Sequence, residues 1–151
     1  MILTKASTGL AITSIAFLLI ANMTAHAQEC TTNLKITGIR STKGKIMIAV
    51  FKDNEGFDKM TPFKRFFFDK KQLAGGNMSV AIKLTPGTYG LSLLDDEDSN
   101  GKMAKNFIGL PKEGFGFSDF YLSGLKRPKY DDFKVELTKD QGTTNIKLRY
   151  M

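Results

Sequence analysis

Four consecutive acids, Asp95, Asp96, Glu97 and Asp98, stand together in a chain whose formal net charge is +7. From the second of them, Asp96-x-Asp98-x-Asn100-Gly101 alternates oxygen-bearing side chains and ends on a glycine. Alternate oxygen ligands converge on one ion when the backbone curls, and a glycine at the end permits the sharp turn. The chemistry so suggested is hard-cation binding, with calcium as the expected ion, which takes about six to eight oxygens at about 2.3–2.6 Å. Asp96, Asp98 and Asn100 are the first candidate ligands, Asp95 adjoins them, and Glu113 is a carboxylate that returns from farther along the chain, with Asp119 as its substitute. An EF-hand is excluded, because the twelfth position from Asp96 is Phe107 and no helical pattern flanks the loop. The competing reading is a solvated Asp/Asn/Gly turn whose charges are offset by Lys102, Lys105 and Lys112.

Other chemistries are pruned by absence. The single histidine, His26, lies in the leader described below, so Ser-His-Asp and Cys-His arrangements have no base and a His-ligated zinc site has no ligand. There is no tryptophan to serve as a sugar platform. An enzyme would have to work with carboxylates, for instance a glycoside hydrolase pairing Glu113 with one of Asp95 to Asp98 at a separation of about 5–5.5 or 6.5–9.5 Å. Acids gathered on one loop make a poor cleft, so the expectation is a non-enzymatic domain. Adhesion to anionic surfaces through the lysines is a further alternative, one that fades with salt.

The segments that must position these acids read as strands. Asn33–Thr37, Lys45–Phe51, Phe63–Phe68, Met78–Leu84, Tyr89–Leu93, Phe133–Leu137 and Ile146–Tyr150 are short stretches, most alternating polar with apolar, and are separated by Gly38, Lys43-Gly44, Pro86-Gly87 and Gln141-Gly142. Period-2 alternation with regular turns predicts an all-β antiparallel sandwich of about seven strands and no long helix. Phe66-Phe67-Phe68, between Lys64-Arg65 and Asp69-Lys70-Lys71, is read as a strand that buries one or two rings rather than as a nucleic-acid patch. The remaining stretch, residues 94–119, is a long loop rich in glycine and in Phe107, Ile108, Leu110, Phe115 and Phe117, so it is expected to fold against the sandwich.

The N-terminus carries Lys5, an apolar run from Leu10 to Ala21 and the small-residue pattern Ala25-His26-Ala27. This is the layout of a cleavable secretory signal, so 1–27 is expected to be the signal peptide and 28–151 a single domain without a transmembrane segment. Cys30, the one cysteine, is expected to be an idle thiol near a frayed end; Glu29 before it argues against lipidation.

Leu84-Thr85-Pro86-Gly87-Thr88-Tyr89, Asp96 to Lys102, and Asn106-Phe107-Ile108-Gly109-Leu110-Pro111-Lys112-Glu113-Gly114-Phe115-Gly116-Phe117-Ser118 together resemble the bacterial domain-of-unknown-function family 2141 over nearly the whole mature chain. The resemblance implies a transthyretin-like or immunoglobulin-like sandwich in a small exported protein of a Gram-negative bacterium, and no defined reaction. Where that family often has His before the first Asp of the loop, this chain has Asp95, and where it often has Asp four residues after Asn100, this chain has Ala104. The functional expectation is a periplasmic or secreted binding or structural domain of the cell envelope. Its surface would be the 94–119 loop, calcium would be held by Asp95, Asp96, Asp98, Asn100 and Glu113, and its partner would be an envelope glycan or a protein met as a monomer.

Overall fold

The computed structural model describes residues 28–139 and 142–151. The signal peptide assigned to 1–27, with His26, and the Gln141 half of the last turn lie outside the described residues.

Eight strands are formed: β1 (Cys30–Thr37), β2 (Lys45–Phe51), β3 (Lys64–Asp69), β4 (Asn77–Leu84), β5 (Gly87–Asp96), β6 (Gly114–Phe117), β7 (Lys134–Leu137) and β8 (Thr143–Lys147). They make two sheets, ordered β4-β1-β8 and β3-β2-β5-β6, with β7 also paired to β5. All pairings are antiparallel except β1 with β8. Bridges Phe115↔Arg149 and Ser118↔Ile146 join the end of the chain to β6, so the two sheets are stitched along one side. The all-β sandwich is therefore as the alternation predicts.

The inner faces supply the main core. Leu34 and Ile36 of β1, Ile46, Ile48 and Val50 of β2, and Tyr89, Leu91 and Leu93 of β5 interdigitate with Ile82, Leu84, Leu137 and Ile146. A second cluster covers the outer face of the larger sheet: Ala49 and Phe51 pack with Phe57, Phe115, Phe117, Tyr130 and Phe133. Its aromatic rings meet edge-on, with Phe57 and Phe133 at 4.8 Å between centroids. Two single-turn helices, α1 (Asn54–Asp58) and α2 (Tyr130–Phe133), exist to place Phe57, Tyr130 and Phe133 there. They are too short for an apolar stripe, which is why periodicity does not reveal them.

Two expectations are corrected. Gly114–Phe117 is a strand within the stretch read as loop. A Cβ at Gly114 would lie 2.5 Å from the Tyr150 ring and one at Gly116 2.7 Å from Ile146, so the glycines admit the C-terminal segment while Phe115 and Phe117 fill the outer cluster. Cys30 is not at a frayed end: it begins β1, is buried in the main core and donates its thiol to the Leu84 carbonyl at 3.2 Å. The reading of Phe66-Phe67-Phe68 as a strand that buries one or two rings agrees with the structure: on β3, Phe66 and Phe68 pack on the core and Phe67 is exposed.

Candidate functional site: the acidic loop on strand β5

Strand alternation sends neighbouring acids of β5 to opposite faces. Tyr89, Leu91 and Leu93 form the inward stripe, and Asp95 is its next member, 0% exposed. Its carboxylate pairs with the buried ammonium of Lys70 and accepts the Tyr150 hydroxyl at 2.5 Å. Lys70 spends its other hydrogens on the carbonyls of Ser41 (3.0 Å) and Lys43 (2.5 Å), so the ion pair has no idle donor. Burial first, and then the hydrogen bond to Asp95, raises the Tyr150 phenol above its ordinary value. Over that ring, 4.3 Å from its centroid, lies the Arg40 guanidinium, which reaches Glu97 through two hydrogen bonds of 3.0 and 2.6 Å. The hydrogen bond from Arg40 holds the Glu97 carboxyl below its usual range. Asp95 and Glu97 are thus committed to cations of the chain itself. Nothing in the local sequence signals this network, because Arg40, Lys70, Asp95 and Tyr150 come from four separate segments.

Asp96, on the other face, has a different setting. It is 2% exposed and its two oxygens accept the backbone N–H groups of Asn100 (3.0 Å) and Gly101 (2.8 Å). Ser99 and Gly101 take left-handed φ of 59° and 73°, which curls the chain around that carboxylate. Glu113, 4% exposed, arrives just before β6 and accepts from Glu97 N at 3.0 Å and Ala104 N at 2.9 Å, tying both ends of the loop to β6. Asp98 is exposed and accepts from Asn100 N at 3.1 Å and Asn100 Nδ2 at 2.7 Å. One carboxylate oxygen from each of Asp96, Asp98 and Glu113 lies within 4.8 Å of the others. Among the described residues none of these three acids forms an ion pair.

Of the five candidate ligands the structure therefore brings together Asp96, Asp98 and Glu113. Asp95 is not with them, and the Asn100 side-chain oxygen is turned to Lys102 N at 2.7 Å. Asp119, the substitute for Glu113, instead accepts from Asn145 N at 2.9 Å. The start of the loop is held by Gly44: a Cβ there would lie 1.9 Å from the Asp96 carbonyl oxygen, so only glycine lets the β1–β2 connection cross under the Asp96–Glu97 backbone.

Beyond Ala104 the loop continues as a small hairpin. Lys112 N donates to Ala104 O (2.8 Å) and Asn106 N to Leu110 O (2.9 Å), while the Asn106 side-chain oxygen accepts from Ile108 N and Leu110 N. Gly109, at φ 83°, closes the turn. The loop folds against the sandwich through Phe115 and Phe117, but not all of its apolar residues take part: Phe107 is 99% exposed and Ile108 63%.

Chemically, three converging carboxylates offer oxygen ligands to a hard cation, to be completed by waters or carbonyls. Both oxygens of Glu113 are engaged by backbone donors. The described surface grooves lie elsewhere, along β3 and β4 by Phe67, Asp69, Met78 and Val80 and along β1 by Lys35 and Thr37. No described helix is long and apolar enough to cross a membrane.

Neither the curated proteins nor the solved structures contain a match to this chain. A family model, that of an uncharacterized protein conserved in bacteria (DUF2141), matches residues 34–146, from β1 to β8 and across the whole acidic loop. The chain belongs to the DUF2141 family.

Proposed function

We propose that this protein is an exported, non-enzymatic binding domain of the bacterial envelope that uses the 94–119 loop as its recognition surface and holds a calcium ion at Asp96, Asp98 and Glu113. The observation that carries the reading is the convergence of three carboxylates, from two separate stretches of chain, to within 4.8 Å, with no cationic side chain paired to them among the described residues. Like charges so close repel, and a divalent cation relieves that repulsion while accepting the oxygen ligands it prefers. Export is supported by the n-region, apolar run and Ala25-His26-Ala27 of the leader. A loop held on a rigid sandwich is where such domains place recognition.

A thermal melt in millimolar calcium and then in chelator tests the cation. At a hundred times the dissociation constant, calcium stabilises the fold by roughly 2.7 kcal/mol, a shift of several degrees for a domain of this size. The shift should vanish in Asp98→Asn, whose exposed side chain is not needed by the fold, and in Asp96→Ala with Asp98→Ala. A calcium-independent melt of the native protein would remove the ion from the proposal.

A further inference from the structure

Hairpin turns normally carry Gly, Asn, Asp, Ser or Pro at their centre, for conformational reasons. In the 104–112 hairpin those needs are already met by Asn106 and Gly109, and the two central positions hold Phe107 and Ile108. The whole Phe107 ring is in solvent, at 99% exposure, and contributes nothing to either core cluster. Three lysines flank this tip: Lys105 and Lys112 on the arms of the hairpin and Lys102 at its base. All three are exposed, and among the described residues none is in an ion pair. Of the acids at the base of the loop, Asp96 and Glu113 are buried under it and Asp98 is exposed.

We propose that this hairpin docks on an anionic phospholipid surface, with Phe107 and Ile108 entering the acyl boundary while Lys102, Lys105 and Lys112 meet the headgroups. An apolar wedge and a cluster of lysines are the two signals whose combination gives stable membrane attachment where either alone is marginal. The tip is also too small for a stable protein interface. Two side chains present a few hundred Å² at most, against about 1,200 Å² or more in a specific protein pair, whereas a bilayer accepts a wedge of any size. The inference rests on the loop being the recognition surface, and it does not rest on the calcium ion.

The chain has no tryptophan, so Phe107→Trp places a single indole at the tip. This variant of the full chain, as its host produces it, is titrated in chelator with vesicles of phosphatidylcholine containing phosphatidylglycerol, and with vesicles of phosphatidylcholine alone. The expected result is a blue shift of the indole emission with the anionic vesicles and its quenching by brominated acyl chains. Phe107→Ser with Ile108→Ser, at exposed positions outside both core clusters, should weaken vesicle binding roughly tenfold or more. Each Lys→Gln change at Lys102, Lys105 or Lys112 should weaken it roughly fivefold. An indole that keeps its aqueous emission and escapes quenching overturns the proposal, as does equal blue shift with both kinds of vesicle, or vesicle binding that the serine variant retains in full. Because chelator is present throughout, the indole readout bears on the tip alone, and the calcium-dependent melt bears on the cation alone.

Discussion

Asp95 and Asp96 are neighbours on β5, yet one carboxylate is locked in a buried ion pair with Lys70 and the other faces Glu113 across the acidic loop. The strand gives each a separate task, and the two tasks come apart in variants. Removing one partner of a buried pair leaves an uncompensated charge, at a cost of about 3–5 kcal/mol. Lys70→Met and Asp95→Leu should each be destabilised by about that much, while the double variant should lose far less than the sum. Urea denaturation of the four proteins measures the coupling; strict additivity would mean that the pair does not act as one.

The Tyr150 phenol is raised from its ordinary value of 10.0 by burial and by its hydrogen bond to Asp95. The fold thus favours the neutral ring. That contribution is whole below pH 10 and is lost as pH climbs above it, because the unfolded chain ionises first. Alkaline unfolding followed by circular dichroism should be less steep in Tyr150→Phe, which also forfeits about 1–3 kcal/mol at neutral pH for an unanswered Asp95 oxygen.

At the other end of the scale, Glu97 sits below its ordinary 4.5 because Arg40 donates to it. Its stabilisation is present above that value and is lost as pH falls below it. With the guanidinium half exposed, solvent screening keeps the magnitude at or under about 1 kcal/mol. Glu97→Gln should flatten the acid limb of the stability curve by that amount, read from urea midpoints between neutral and acid pH.

Gly44→Ala should be the most damaging glycine replacement. Its φ of 72° is left-handed and its Cβ would meet the Asp96–Glu97 backbone, so the β1–β2 connection and the acidic loop cannot both keep their places. Beyond the strain, typically about 1–3 kcal/mol, the calcium-dependent melt shift should shrink, since Asp96 begins at the displaced backbone. A variant with lower stability and an unchanged shift would separate the glycine from the site.

Much of the fold is legible in the residues, because a sheet with one buried face writes its register as alternation: Ile46, Ile48 and Val50 announce β2, and Met78 to Leu84 announce β4. Gly114–Phe117 escapes that reading since a glycine has no side chain to mark the inward face, and the partner that needs the space, Tyr150, is distant in sequence. The pairing of Asp96 and Asp98 with Glu113 is legible as an acidic turn and a later acid. The fate of Asp95 is not, for its partners Lys70 and Tyr150 become neighbours only when β2 brings β3 beside β5 and the C-terminal segment closes over them. The exposed Phe107 inverts the usual inference, in which an aromatic residue within a glycine-rich stretch marks burial.

The parallel pairing of β1 with β8 has a kinetic consequence. Strands at opposite ends of the chain must meet, Leu34 opposite Thr144 and Ile36 opposite Ile146, before the smaller sheet has its third member. Such non-local pairing closes a large loop before it yields contacts, and chains built this way fold slowly. Without β8 the smaller sheet holds only the β1–β4 pair. Until β8 docks, the sandwich lacks one edge of its smaller sheet, so closure of that side waits on the last strand of the domain.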